Sequence, residues 1–202
     1  MKEGVIKFKL HREETIPAID SELIKQRNRL RKASLIGVDA GNFGYGNISV
    51  RRDKGFLISG SQTGALLQAE ARHFSEVLRW NFTTNELWCC GLIDASSESL
   101  THAMLYELST DIQAVVHIHH DQLWQNTLHH WPTTPDKSEY GSVQMAEAVR
   151  RLWNQDAFTK VQAITMGGHK SGILAFGSDL KKTCDFLIEA IKGVFIQTKR
   201  AN

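Results

Sequence analysis

Ala114-Val115-Val116-His117-Ile118-His119-His120 is the stretch on which the reading of this chain turns. Its branched apolar run predicts a buried strand over residues 112–119. Strand residues two apart point to the same side, so His117 and His119 share one face and His120 falls on the other. Such a pair offers two neutral imidazole nitrogens to one divalent metal. The alternative is two hydrogen-bonded histidines on a polar sheet face. A third imidazole would come from His169, because Met166-Gly167-Gly168-His169 closes a second strand, over 161–165, with two permissive glycines. Three histidines leave a coordination position open, as catalytic rather than structural zinc sites do. Imidazole also suits Mn2+, Co2+ and Fe2+, with Zn2+ the first expectation.

Outward from this strand the chain alternates strand and helix patterns. Val5-Ile6-Lys7-Phe8-Lys9-Leu10 predicts a short edge strand whose lysines discourage pairing with another chain. A helix follows residues 17–20, with Leu23, Ile24, Leu30 and the later Leu35 as its apolar stripe. Lys25, Arg27, Arg29, Arg31 and Lys32 are read as its solvated face. After a glycine-dense segment at 37–46, residues 47–51 and 56–59 read as a hairpin across Asp53-Lys54-Gly55. A short helix over 66–73 and a strand pair at 77–82 and 86–92 come next. Ser96 or Ser97 is placed to cap a helix reaching Leu108, with Leu100, Met104, Leu105 and Leu108 inward. Helices over 142–153 and 179–198 and a strand at 173–176 complete the pattern. Interleaved elements with hairpin links predict one α/β domain over residues 1–202 with a mixed or antiparallel sheet.

The 202 residues carry 24 Lys and Arg against 22 Asp and Glu, a formal charge of +2, with 42% hydrophobic and 23% charged residues. That balance fits a globular chain and excludes extended disorder or a coiled-coil rod. It supplies no basic stripe to neutralise phosphates in number, so nucleic acid is not an expected partner. Residues 1–10 lack the apolar centre of a secretion signal, and no apolar run reaches the roughly 18 residues of a membrane span. A cytoplasmic protein with no membrane partner is expected. Cys89, Cys90 and Cys184 are odd in number and two are adjacent, so reduced thiols are expected rather than a disulfide framework.

Glu98 follows Ser96 and Ser97 at a helix start, where free backbone N–H groups favour an anion. Beside a metal it is a candidate general acid/base; otherwise it is a helix-favouring carboxylate in the first turn. Ser59-Gly60-Ser61-Gln62-Thr63-Gly64 offers hydroxyls and backbone donors suited to a phosphate or polyol. Asn47, after Gly46, is either a ligand or a turn residue.

Together these segments resemble the class II aldolases of the aldolase and adducin head family. Gly46-Asn47-Ile48-Ser49-Val50-Arg51, the 56–59 strand with its hydroxyl loop, Ser96-Ser97-Glu98, Val115-Val116-His117-Ile118-His119 and Gly168-His169 occur in that family's order. Ile173-Leu174-Ala175-Phe176-Gly177-Ser178-Asp179-Leu180 is similar to its closing strand and helix. The likeness spans residues 19–196 and is most specific in the 19-residue step from Glu98 to His117.

The resemblance implies an α/β/α sandwich around a mostly antiparallel central sheet, assembled as a homotetramer with sites at subunit contacts. It implies a metal-dependent lyase of carbohydrate metabolism, similar to fuculose-phosphate aldolases. His117, His119 and His169 would hold Zn2+, and Glu98 would be the acid/base. Asn47, Ser96, Ser97 and a hydroxyl of Ser61 or Thr63 would grip a substrate phosphate. The reaction implied is reversible retro-aldol cleavage of a ketose phosphate or similar hydroxyketone, with a zinc-stabilised enediolate. Alternatives on the same fold are a sugar-phosphate dehydratase or epimerase, or a non-catalytic interaction module like the adducin head. Related epimerases carry Asp where Glu98 stands, which favours the aldolase. The family's Thr-Pro-Ser/Thr-Gly loop is replaced here, so a phosphate-free substrate stays open. The chain stops at Asn202 without the tail that supplies a catalytic tyrosine in some aldolases, and Tyr140 is either a site residue across an interface or a packed loop tyrosine.

Overall fold

The computed structural model describes residues 4–154 and 161–201. In chain order its strands are β1 (Lys9–Glu13), β2 (Gly37–Val38), β3 (Gly44–Tyr45), β4 (Asn47–Arg51), β5 (Phe56–Ser59), β6 (Phe74–Asn81), β7 (Glu86–Gly91), β8 (Ala114–His119), β9 (Ala163–Thr165) and β10 (Gly172–Gly177). The helices are α1 (Ser21–Lys32), α2 (Ser99–Leu108), α3 (Asp121–Thr127), α4 (Val143–Trp153) and α5 (Leu180–Ala201). One sheet runs β1-β7-β6-β5-β4-β8-β10-β9, and β2 and β3 form a separate hairpin. Within the large sheet every pairing is antiparallel except β1 with β7.

Period-two alternation divides the strand side chains between two cores. Val115 and Leu174 join Leu100, Met104, Met145 and Val149 from α2 and α4. Val116, Ile118, Ile173 and Ala175 join Leu23, Leu30, Leu123 and Leu187 from α1, α3 and α5. The observed architecture is thus the expected α/β/α sandwich around a mostly antiparallel sheet. His117 and His119 alternate with Ile118, so they leave β8 on the α2/α4 side. Two helix starts are fixed by short polar side chains: Asp20 Oδ1 accepts from Glu22 N at 2.8 Å, and Ser142 Oγ accepts from Met145 N at 3.2 Å. Among the described residues no helix is long and apolar enough to cross a membrane.

Four local expectations change, and one helix was not foreseen. The first strand lies at Lys9–Glu13 rather than 5–10, because the Lys7 carbonyl is taken by the Asn85 side chain at 2.7 Å and Phe8 turns into the core. It is still an edge strand. No α-helix forms over 66–73, where the chain makes a short 3-10 turn at Ala71–His73 after another at Thr63–Ala65. Backbone groups of that segment are held by α1 instead: Arg27 takes the Thr63 and Leu66 carbonyls, and Asn28 Oδ1 accepts from Ala69 N. Arg27 is accordingly buried rather than on a solvated face. Helix α2 starts at Ser99 with Glu98 in the cap position and no side-chain cap bond, so neither Ser96 nor Ser97 is its cap. Finally, α3 had no sequence signal of the usual kind, since its cap is the His120 ring, which accepts from Leu123 N at 3.1 Å.

Candidate active site

His169 reaches the β8 pair from the turn between β9 and β10, which is closed by His169 N to Met166 O (3.1 Å) and Gly172 N to His169 O (2.9 Å). Gly172 stands opposite His119 in the strand register, and a Cβ there would lie 2.5 Å from His169 Cδ2. Glycine at this position is what lets the ring approach. The three Nε2 atoms converge, with separations of 3.2 Å for His117–His119, 2.9 Å for His119–His169 and 3.3 Å for His117–His169. Tetrahedral zinc with Zn–N bonds of about 2.0–2.1 Å sets its ligand nitrogens about 3.3–3.4 Å apart, so this triangle fits a metal with small adjustments.

The donor chemistry fits as well. His117 Nδ1 donates to Ile173 O at 3.2 Å, which fixes its tautomer and leaves Nε2 with a free lone pair. Burial pushes His117 down to about 4 and holds His119 and His169 well below an ordinary imidazole. All three are therefore neutral at physiological pH, the form that binds a metal. In the tautomer that presents a lone pair at each Nε2, a cation among the three relieves their mutual repulsion. The triad can hold a divalent metal with further coordination positions left for water or substrate.

Asn47, Ser61, Thr63, Ser96, Ser97 and Glu98 line one narrow polar pocket together with His117. The structure thus gathers these residues around His117, which links the pocket to His119 and His169 of the triad. Asn47 is placed by register, opposite His117 at the start of β4. Glu98 is buried, its Oε2 accepting from Thr101 Oγ1 at 3.0 Å, while Oε1 has no partner among the described residues. Burial raises its carboxyl to about 7, with the Thr101 bond opposing that rise. Asn47 Oδ1 is likewise buried and unpartnered. Two such oxygens are expensive to leave bare, which points to a ligand that supplies donors. Thr63 Oγ1 donates to Gly60 O at 2.8 Å, whereas Ser61 Oγ reaches only Gly4 O at 3.3 Å and Ser96 Oγ accepts from Glu98 N at 3.3 Å. Ser96, which only accepts in that bond, keeps its proton to donate to an anion, while Ser61 would have to release the Gly4 carbonyl to do so.

Tyr45, Lys7 and Gly141 escape sequence reasoning, which singles out Tyr140 as either a site residue across an interface or a packed loop tyrosine. The Tyr45 ring stacks on His119 at 4.8 Å and 15°, and its only sequence signal is an aromatic flanked by Gly44 and Gly46. Tyr140 is buried within its own chain, its ring 4.9 Å from that of His169, while Lys7 Nζ lies 3.6 Å above it and donates to Tyr140 O at 2.7 Å. The Lys7 contact joins residues 133 positions apart and leaves no local trace in the sequence. Gly141 has φ +63, and a Cβ there would lie 2.4 Å from Ser97 O. Gly141→Ala is expected to cost about 1–2 kcal/mol from the backbone conformation alone, and more from the contact with Ser97. Urea unfolding of the variant checks this, and an unchanged midpoint would contradict it.

The sequence pattern of the class II aldolase and adducin N-terminal domain family matches residues 35–197, and the chain belongs to that family. Solved structures carry the same fold. The l-fuculose-1-phosphate aldolase of Thermus thermophilus is 20% identical, with a TM-score of 0.64 over 89% of this chain and 92% of that one. A sugar-phosphate aldolase of Thermotoga maritima is 18% identical, with a TM-score of 0.65 over 88% and 92%. YgbL of Klebsiella pneumoniae is 18% identical, with a TM-score of 0.63 over 90% and 88%. No curated protein matches the chain by sequence.

Proposed function

We propose that this protein is a metal-dependent aldehyde-lyase that cleaves a ketose phosphate or similar hydroxyketone by a reversible retro-aldol reaction. The observation that carries the proposal is the convergence of three Nε2 atoms within 2.9–3.3 Å, next to a pocket containing a buried carboxylate with one unpartnered oxygen. His117, His119 and His169 would hold the metal, with Zn2+ first and Mn2+, Co2+ or Fe2+ as alternatives. When bound it supplies Lewis-acid polarisation of a ketone oxygen.

The chain's own groups do the rest. Asn47, Ser61, Thr63, Ser96 and Ser97 would bind the anionic end of the substrate and orient its carbon chain along the pocket. For cleavage the hydroxyl on the departing carbon gives its proton to solvent as that carbon becomes an aldehyde, and the electron pair of the broken carbon–carbon bond stays on a carbon of the ketone fragment. Glu98 would then deliver a proton to that carbon, and remove it again in the condensation direction. Its raised carboxyl, near 7, suits both roles at neutral pH. Thr101 Oγ1 holds one carboxylate oxygen and leaves the other for the substrate.

The test is product analysis by NMR on a panel of pentulose and deoxy-ketose phosphates with the metal-loaded protein. Appearance of an aldehyde and a ketone fragment is expected. An epimer or a dehydrated ketone would replace this reading with epimerase or dehydratase chemistry, and no turnover with any metal would favour an interaction module. The resemblance described above also implies a homotetramer, which light scattering tests directly; a monomer at high concentration would contradict it.

A further inference from the structure

The substrate pocket rests on a buried cation. Arg27 has 0% of its surface exposed, although it sits in a helix rich in lysine and arginine. Its Nη2 donates to Thr63 O at 2.5 Å and its Nη1 to Leu66 O at 2.6 Å. Other α1 side chains make ion pairs, Lys25 with Glu22 and Arg29 with Asp185, but among the described residues Arg27 has no carboxylate partner. Its nearest other acceptor is the neutral Asn28 Oδ1, at 3.2 Å from Nη1, and its Nε is unpartnered. A buried charge without a counter-ion is costly for the fold, so a compensating anion is the natural complement. Burial, and secondarily Arg31, lowers its pKa only to about 10, which leaves it charged at neutral pH.

Its position says which anion. Thr63, whose carbonyl it grips, lines the pocket with Ser61 and Glu98, and among the described residues no Lys or Arg side chain lies in the pocket wall itself. Three carbonyls of this loop are engaged away from an incoming phosphate: Gly60 O by the Thr63 hydroxyl, Thr63 O and Leu66 O by Arg27. We propose that Arg27 is a positioning residue whose charge, applied through the 60–66 loop, makes this pocket select a phosphate dianion over a neutral hydroxyketone. The inference rests on the reading of the pocket as the substrate site given above.

Asn28 provides a way to cancel the charge without removing the clamp. An aspartate there keeps an oxygen beside Nη1 and can still accept from Ala69 N, which Asn28 Oδ1 does at 2.8 Å. The experiment is calorimetric titration of metal-loaded protein with inorganic phosphate, on wild type, Arg27→Met, Arg27→Lys and Asn28→Asp. Arg27→Met is expected to weaken phosphate binding at least tenfold, Asn28→Asp three- to tenfold and Arg27→Lys less than threefold, all with wild-type metal content. For a phosphorylated ketose Arg27→Met should raise KM with kcat within about threefold, and for the unphosphorylated sugar both constants should stay put. Should Arg27→Met fail to fold, Asn28→Asp decides. Equal phosphate binding by wild type and Asn28→Asp overturns the inference, as does an Arg27→Lys loss as large as that of Arg27→Met, which would mark a purely structural clamp. A wild type that binds no phosphate also overturns it; if that same protein still binds metal and cleaves neutral hydroxyketones, the proposed reaction survives, and if it does neither, both fail.

Discussion

Glu98→Gln is expected to lower turnover by about 10²–10⁴-fold while the protein keeps its metal, the range a positioned acid/base contributes. The amide preserves size and the acceptor oxygen facing Thr101 but cannot exchange a proton with carbon. Metal content and kcat measured on one preparation check it, and undiminished turnover with metal retained would remove Glu98 from the chemistry. The same substitution has a stability signature in the metal-free protein. Because burial raises the folded carboxyl from 4.5 to about 7, ionisation opposes folding, so the Glu98 contribution is favourable below about pH 4.5 and is lost as pH rises through 7. The full loss is about 3 kcal/mol at 1.36 kcal/mol per pKa unit. Glu98→Gln should therefore stabilise the metal-free protein at pH 8 and leave it little changed at pH 4.5. The buried histidines act in the opposite sense, since their lowered pKa values give stability above 6.5 that is lost as pH falls. They are common to both proteins, so the difference between unfolding curves isolates Glu98. A difference independent of pH would contradict the account.

His169→Ala is expected to abolish turnover and weaken metal binding more than 100-fold, beyond the 10- to 100-fold that follows loss of a group that only orients a ligand. The argument is geometric. His169 Nε2 closes the triangle at 2.9 Å from His119 and 3.3 Å from His117, and without it two imidazoles remain. His169 sits in a turn and not in a sheet ladder, so its truncation leaves the β8–β10 register intact. Competition with a chromophoric chelator measures the affinity. A loss of tenfold or less would place His169 outside the coordination sphere.

What the sequence made legible followed from periodicity. The alternation at Val115-Val116-His117-Ile118-His119 defined a central strand and put two histidines on one face, and Gly167-Gly168-His169 marked a close approach. Strand pairs that are neighbours in sequence, such as β4 with β5, were equally plain. What stayed hidden depends on long-range contact. Arg27 reads as one basic residue among several until Thr63 and Leu66 come to rest on it, and the same contact removes the helix expected over 66–73. The first strand starts at Lys9 rather than Val5 for a similar reason, since the Asn85 side chain, far along the chain, takes the Lys7 carbonyl. Side-chain clamps on backbone carbonyls leave no periodic mark, and that is where local reading failed.

The central claim is a metal held by three histidines, and elemental analysis by inductively coupled plasma mass spectrometry tests it most directly. Tag-free protein purified without chelator should carry about one divalent ion per chain, and a His117→Ala, His119→Ala double variant should carry none. Absence of metal in the wild type, with none taken up from added zinc, would leave the three histidines as packed side chains and contradict the account.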